Sequence, residues 1–520
     1  MSKNNRVTVY LIKEELVLDL DLVKDDTKSV SFNEDFKVYY KESKTDKPKW
    51  LRSFFKNEKT LKNHLYNSSS RALLLRRVNV NEGDEEKVRI FAIPFGYGKY
   101  LLKDDVFEDR FGIKTVVNLI GEENIRSINK TNVSTDNKQS REQMPKESTI
   151  FDFGFNVNGD LINSLTGSLD NDEFIKGNIT GSDSFQATVP YNISNIDEYL
   201  KEIYNVYIKD DYKESFAWID YINPVNNKEI NKRLDELLFK KVLEDKEDVY
   251  MANPKVIDFT IVEGFRIPGI KELKTDIELK DVKNSFMKGL NNIGQFKDKR
   301  ILVISSLDEE IIDRFSAYNC FITEVDYNDK SYTISNGKWY EIEKDFVKSI
   351  NKEYESINIA NIDLIKSSQN ITEKDYNELV VNSNKDKYYL MDAKNIMYGG
   401  GYNRIELCDI LTKDNKLIHV KKYGGSSVLS HLFNQGLVSA ELIKGDRDFI
   451  IEANNKITKS DFKINENNKY EIVYAIITND DNDRPNIPFF SKVSINNVVK
   501  RLKNMEYDVS IKNIKRDKIN

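Results

Sequence analysis

The sequence has few of the residues that build disulfide frameworks, metal fingers or membrane spans. Only two cysteines, Cys320 and Cys408, occur in 520 residues, and their spacing is not that of metal ligands. A disulfide scaffold and a cysteine zinc site are therefore not expected. No apolar run reaches the roughly 18 residues that a membrane helix needs, and the first residues lack the apolar core of a signal peptide. We expect a cytoplasmic protein without a membrane partner.

The overall charge and composition favour a folded protein of several domains. The hydrophobic fraction of 39% and aromatic fraction of 11% can build cores, and a net charge of -6 argues against coating nucleic acid by bulk attraction. We predict an α+β and α/β multidomain architecture. It comprises an N-terminal α+β domain (1–190), a middle helical α/β domain (191–365) and a C-terminal domain (366–520).

Local patterns predict several elements of the first two domains. FGYGKYLL (95–102) lacks phosphate-loop spacing and indicates a turn beside a buried strand. The polar stretch 126–149 has almost no large apolar residue and predicts an exposed loop. ILVISSLDEEIIDRF, from residue 301, is typical of a strand followed by a helix, and Asn336-Gly337 predicts a hairpin.

The C-terminal third has a clear predicted element order. A helix over 371–381, with Thr372 as its cap, precedes strands over 387–396, 404–412 and 416–422. GGG at 399–401 breaks the chain between the first two strands. Ser426 or Ser427 can then cap a helix whose apolar stripe includes Leu429 and Phe433, and EIVYAIIT adds a further strand.

Polar residues gather on two of these strands. Period-two alternation puts His419 and Lys421 on one strand face, and Asp409 on the neighbouring strand can approach both across a short hairpin. An aspartate within an apolar strand is disfavoured unless it has a partner. These residue types can hold a divalent ion, activate a water and stabilise a phosphoryl transition state.

This arrangement resembles the PD-(D/E)xK nuclease core, with an acid on the second strand, a lysine on the third and a glutamine on the following helix. The resemblance implies a restriction-endonuclease-like mixed sheet flanked by helices, and a Mg²⁺ or Mn²⁺ cofactor. It places Asp409 as a metal ligand, Lys421 as the residue that orients the attacking water, and Gln435 as a supporting residue. Glu373 or Glu378 matches the acid that the first helix sometimes provides.

The sequence departs from that pattern two residues before the lysine, where His419 stands in place of an acid. Imidazole suits Mn²⁺ or a transition metal better than Mg²⁺. Either Glu406 substitutes for the missing acid, or the metal is not magnesium, or the domain binds nucleic acid without cutting it. Glu406 has the opposite strand parity to Asp409, so it can join the site only through a bulge or twist.

Other residues of this region have both functional and structural interpretations. Asp392-Ala-Lys394 is a second acid-x-Lys pair, and it is either the true pair or a decoy. His419 is either a metal ligand, together with Asp409 and Glu406, or a half-buried histidine with a hydrogen-bond partner. His431 lies four residues before Gln435, so the two share a helix face and can bond each other or a strand carbonyl.

The phrases LMDAKNI, IELCDIL, LIHVKKYGGSSVLSHLFNQG and IPFFSKVSI also resemble an uncharacterised, sporadically distributed bacterial family found in mobile and defence islands. The resemblance implies a role in conflict with foreign DNA. We expect a nucleic-acid partner, DNA rather than RNA, together with a homodimer or a co-encoded defence protein. The alternatives are a non-catalytic nucleic-acid sensor with a degenerate nuclease fold, and a scaffold that acts with a partner protein.

Overall fold

The computed structural model describes residues 5–41, 70–103, 105–121, 124–134, 138–169, 177–306, 311–369, 371–398 and 403–517, with 47, 66 and 175. The predicted chain break at 399–401 lies outside these residues. None of the described helices is both long and apolar enough to cross a membrane.

Strands dominate the described part of the chain. They are β1 (Asn5–Leu11), β2 (Lys28–Asn33), β3 (Phe36–Lys41), β4 (Arg71–Glu82), β5 (Glu85–Gly96), β6 (Ile125–Asn132), β7 (Lys138–Ser148), β8 (Asp160–Leu169), β9 (Gly177–Gly181), β10 (Phe185–Val189), β11 (Ile222–Pro224), β12 (Tyr250–Met251), β13 (Val262–Arg266), β14 (Arg300–Ser305), β15 (Ile311–Ser316), β16 (Phe321–Tyr327), β17 (Lys330–Ser335), β18 (Lys338–Ile342), β19 (Asn358–Ile359), β20 (Tyr388–Leu390), β21 (Ile396–Tyr398), β22 (Asn403–Ile405), β23 (Ile410–Thr412), β24 (Lys416–Lys422), β25 (Glu471–Thr478) and β26 (Asp508–Lys515).

The α-helices of the same residues are shorter on average in the first half of the chain than in the second. They are α1 (Asp19–Leu22), α2 (Phe111–Leu119), α3 (Ile196–Tyr207), α4 (Lys213–Phe216), α5 (Lys228–Leu243), α6 (Leu279–Asn284), α7 (Gly294–Asp298), α8 (Lys344–Glu355), α9 (Glu373–Ser383), α10 (Ser426–Gly445), α11 (Arg447–Lys456) and α12 (Phe489–Asn504).

The N-terminal sheet has ten strands in the order β2-β3-β4-β5-β1-β10-β9-β8-β6-β7. The predicted loop over 126–149 is wrong, because most of it forms β6 and β7 at one edge of this sheet. Polar side chains bond across the strands here, as when the Asn129 amide donates to Ser164 Oγ at 2.8 Å. Backbone pairing and such contacts can form a strand without apolar residues. The predicted turn at 95–102 is confirmed, since β5 ends at Gly96.

Two smaller sheets follow, in the orders β11-β18-β17-β16-β12 and β13-β14-β15. The predicted hairpin is confirmed: Asn336 and Gly337 have φ values of 53° and 74° between β17 and β18, as a type I′ turn requires. The helix predicted after ILVISS is wrong, because Ile311–Ser316 pairs antiparallel with β14. This long-range pairing overrides local helix propensity.

The C-terminal sheet has the order β19-β26-β25-β24-β23-β20. Strands β24, β25, β26 and β19 run parallel to one another, whereas β23 is antiparallel to both β24 and β20. Helices α10 and α12 pack against one face and α9 against the other, which gives the sheet a core on each side. Burial on both faces explains the continuous apolar run EIVYAIIT of β25.

The predicted order of the C-terminal elements is therefore observed as α9, β20, β23, β24, α10 and β25, although two predicted strands are shorter than expected. Thr372 caps α9 as predicted, because its Oγ1 accepts a hydrogen bond from Asp375 N at 3.1 Å. A mixed α+β architecture with several sheets is confirmed.

A half-buried carboxylate of β16 connects the middle of the chain to the C-terminal helices. Glu324 accepts hydrogen bonds from Ser426 Oγ at 2.7 Å and from the backbone N–H groups of Phe489 at 2.5 Å and Phe490 at 3.2 Å. The predicted serine cap of α10 is wrong, since Gly425 occupies the cap position and Ser426 donates to Glu324. One carboxylate thus accepts hydrogen bonds from the first turns of both α10 and α12.

Candidate functional site

Both strands predicted around the polar residues are interrupted. The first is divided into β20 and β21, separated by residues 391–395, and the second into β22 and β23, separated by residues 406–409. Ala393 lies in the first interruption with a φ of 59°. This left-handed conformation is rare for a residue with a Cβ and costs roughly 1 kcal/mol. The strained residue directly follows Asp392, in the interruption that is hydrogen-bonded to Asp409.

Backbone hydrogen bonds hold the two interruptions together. The N–H groups of Met391 and Asp392 both donate to the Asp409 carbonyl, at 2.9 and 3.0 Å, and Asp409 N donates to the Ile418 carbonyl at 3.0 Å. The irregular geometry also explains how Glu406 can lie beside Asp409 despite their opposite strand parity, because residues 406–409 do not follow the alternation of a regular strand.

Three carboxylates meet at this point. One oxygen each of Asp392, Glu406 and Asp409 lies within 4.8 Å of the other two, and we call these residues the acidic cluster. The Asp409 carboxylate accepts one hydrogen bond, from Val420 N at 2.7 Å. Burial, followed by the charges of Asp392, Glu406 and Glu373, raises the pKa of Asp409 to about 7. Burial and the Asp392 charge also raise the pKa of Glu406.

The acidic cluster suits a hard divalent cation. An ion that is 2.0 to 2.6 Å from each ligand oxygen, the range for Mg²⁺ and Ca²⁺, leaves these oxygens about 3 to 5 Å apart. Three carboxylate oxygens and no nitrogen or sulfur favour Mg²⁺ or Mn²⁺ over softer metals. Burial first, and then the charges of the neighbouring carboxylates, raise the pKa values of Asp409 and Glu406, and a bound cation would offset both effects.

Lys421 lies at the edge of this cluster. Its ammonium is 3.0 Å from Glu373 Oε2, while Glu373 Oε1 accepts a hydrogen bond from Lys422 N at 3.0 Å. The Lys421 charge also lowers the pKa of Glu406, which opposes the effect of burial. Glu373, the first residue of α9, therefore fixes Lys421 near the end of β24. There the Lys421 ammonium faces Glu373, Glu406 and solvent.

Asn377 is a site residue that the sequence interpretation missed. It lies one helical turn after Glu373, its side chain is 1% exposed, and its Nδ2 donates to Asp392 Oδ2 at 3.0 Å. Its Oδ1 is buried without a hydrogen-bond partner among the described residues. The signal that could have identified Asn377 is the spacing of four from Glu373, which places both residues on one face of α9.

His419 lies apart from the acidic cluster. It is 2% exposed, with its ring centroid 6.1 Å from that of Tyr474 in the core beneath α10. Its Nε2 has no hydrogen-bond partner within the described chain. Burial lowers the pKa of His419 to about 4, so the ring is neutral near pH 7. The structure therefore directs His419 and Lys421 to different surroundings, although they share a strand face by parity.

The remaining predicted residues do not join the cluster. His431 is exposed and Gln435 half-buried on α10, where the Gln435 carbonyl accepts a bond from Ser439 Oγ. Glu378 is half-buried on α9, one position from the face that carries Asn377. Of the pair Asp392-Ala-Lys394, only the aspartate enters the cluster, because the Lys394 ammonium lies 4.0 Å from the centre of the Tyr389 ring.

Fold and site together define a mixed α+β protein with an acidic cluster at one end of its C-terminal sheet. Residues 7–515 match the model of a family described as a family of unknown function (DUF6119), so the chain belongs to that family. No curated protein and no solved structure matches the chain.

Proposed function

We propose that the C-terminal part of the chain is a metal-dependent nuclease domain that hydrolyses phosphodiester bonds. The observation that carries this proposal is the acidic cluster beside the Lys421–Glu373 ion pair. Further support comes from the element order α9, β20, β23, β24, α10 and β25, which agrees with the order implied by the resemblance to PD-(D/E)xK nucleases.

In this proposal Asp392, Glu406 and Asp409 hold the cation, so that Glu406 and Asp392 replace the acid missing at position 419. A bound Mg²⁺ or Mn²⁺ would polarise the phosphodiester and favour deprotonation of the attacking water. Lys421 donates a hydrogen bond that orients the attacking water. The water oxygen forms a bond to phosphorus while the water releases one proton to solvent, the bond to the leaving oxygen breaks, and that oxygen takes up one proton from solvent.

The biological setting of the proposal follows from the family resemblance. A sporadically distributed family of mobile and defence islands implies a target in foreign nucleic acid, with DNA favoured over RNA. The rest of the chain then recognises the substrate or a partner, either a second copy or a co-encoded defence protein, in the cytoplasm.

The test is a cleavage assay with the full chain and its Lys421→Ala variant. Plasmid, linear duplex, single-stranded DNA and RNA are incubated with Mg²⁺ and separately with Mn²⁺. Lys394→Ala is the matched control, because this lysine belongs to the other acid-x-Lys pair and lies against Tyr389. We expect cleavage by the parent and the control, and at least about a hundredfold loss in Lys421→Ala. Equal rates in all three would overturn the proposal.

A second candidate function is favoured by the burial of His419. The strand that should carry an acid two residues before the lysine carries a neutral, core-packed histidine instead. A domain with this change can bind nucleic acid as a sensor or scaffold and leave cutting to a partner protein. Retained binding that is indifferent to Mn²⁺, without cleavage of any substrate, favours this candidate.

A further inference from the structure

Helix α9 touches the site at two points that are one turn apart. Glu373, its first residue, holds Lys421, and Asn377 holds Asp392. Residues four apart on a helix lie on the same face, so a single rigid element fixes the lysine and one acid relative to each other. The rest of this face is apolar, since Tyr376 and Val380 are fully buried in the core under α9.

The contact of Asn377 determines how its amide is oriented. Asn377 Nδ2 donates to Asp392 Oδ2, so the NH₂ group faces Asp392 and the amide oxygen faces away. That oxygen is buried with no donor in the described structure. A buried unpaired oxygen costs stability, and an apolar side chain would match the neighbours of Asn377 better. Packing therefore does not account for an asparagine at this position.

The same contact restricts Asp392. Its only side-chain hydrogen bond within the described chain is the one from Asn377, and it occupies Oδ2. The carboxylate is consequently fixed in rotation, with its second oxygen left for the cluster. The backbone contributes in parallel, because Asp392 N is bound to the Asp409 carbonyl. Removing the Asn377 amide would free the side chain while leaving the backbone in place.

We infer that Asn377 is a positioning residue that orients Asp392 as a ligand for the divalent cation. This inference rests on the proposed function, because it assigns a role within the same site. Partners that hold the ligands of a metal typically contribute 10- to 100-fold to its affinity. We therefore expect Asn377→Leu to weaken Mn²⁺ binding by at least about tenfold.

The experiment titrates the full-length protein with Mn²⁺ and measures free Mn²⁺ by its electron paramagnetic resonance signal. The variants are Asn377→Leu and Asn377→Ser, with Asp392→Asn as the reference for a lost ligand. Asn382→Leu is the matched control, because Asn382 lies exposed on the same helix. Thermal unfolding of each metal-free variant shows whether it is folded, and Asn377→Ser keeps the test open if the leucine variant does not fold.

Weaker binding and an altered bound-Mn²⁺ spectrum in both Asn377 variants, with parental behaviour of Asn382→Leu, would support the inference. Equal affinity of the parent and a folded Asn377 variant would overturn it and leave the metal site intact. Failure of the parent itself to bind Mn²⁺ would overturn the proposed function, which is a separate result.

Discussion

Two aspartates of this protein, one buried and one half-buried, differ sharply in their surroundings. Asp235 of α5 accepts hydrogen bonds from Tyr318 Oη at 2.5 Å, Trp339 Nε1 at 2.9 Å and Lys297 Nζ at 2.6 Å. Asp409 accepts one within the described part of the chain, from Val420 N, and faces two further carboxylates. Both side chains have little exposure, so exposure alone does not distinguish the structural acid from the acid of the candidate site. The number of hydrogen-bond donors, set against the number of neighbouring like charges, does.

The largest expected effect is on the folding of the middle part of the chain. Asp235→Leu leaves the buried Tyr318 and Trp339 donors without an acceptor, and we expect a loss of about 3 kcal/mol in the free energy of unfolding. Urea denaturation of the metal-free protein measures this. Asp409→Asn is the comparison, and near pH 7 it should not lower the free energy of unfolding, because it removes a charge that burial and the neighbouring carboxylates disfavour. Similar losses in the two variants would remove the distinction between the sites.

The second prediction concerns pH. The pKa of Asp409 is raised from 3.8 to about 7, so the folded state binds a proton that the unfolded state has already released. The contribution of Asp409 to stability is therefore greatest at low pH, falls as the pH rises from about 4 to about 7, and is constant above that range. The difference in the free energy of unfolding between the metal-free parent and Asp409→Asn, measured by urea denaturation at each pH, should follow this change. A difference that does not vary with pH would contradict the assignment.

A third prediction tests whether the Lys421–Glu373 ion pair contributes to cleavage or only to stability. Glu373→Gln removes the charge that holds Lys421, and we expect about a tenfold loss in cleavage rate because the lysine is less well oriented. Both side chains are about 30% exposed, at 28% and 31%, so stability should change by less than about 1 kcal/mol. Single-turnover cleavage and thermal unfolding measure the two effects. A stability loss without a rate loss would make the pair structural.

The smallest effect is expected at His419. Because its Nε2 is buried and has no partner among the residues that the structure describes, an apolar residue of similar size costs little, and His419→Leu should alter stability by less than about 1 kcal/mol. The Mn²⁺ affinity of the His419→Leu variant should remain within about twofold of that of the parent, since a residue outside the ligand set adds no bond to the ion. A tenfold weaker affinity would instead place His419 among the metal ligands.

Much of the C-terminal fold could be predicted from the sequence. Alternation identified β24, the continuous apolar run EIVYAIIT identified β25, and Thr372 marked the start of α9. In the middle of the chain, Asn336-Gly337 identified a hairpin. The polar strands β6 and β7 were missed, because their pairing depends on distant strands and not on a local apolar pattern. The helix predicted over Ile311–Ser316 failed for the same reason.

The residues of the acidic cluster were each candidates from the sequence, but the sequence did not show that these three lie together. Asp409, Glu406 and Asp392 were all candidates, but only the two strand interruptions bring them together. An alanine in the left-handed region, such as Ala393, carries no sequence signal. Asn377 escaped notice because a buried amide on a helix looks like any polar surface residue until its neighbours are known.

The carboxylate of Glu324 bears on how this protein can be dissected. A fragment that begins near residue 366 would lack Glu324, and both α10 and α12 would lose the acceptor at their first turns. It would also expose Phe489 and Phe490, which pack with Phe346 and Ile350 of α8. Expression of the C-terminal part alone is therefore expected to give an aggregation-prone polypeptide, and tests of the proposed function call for the intact chain.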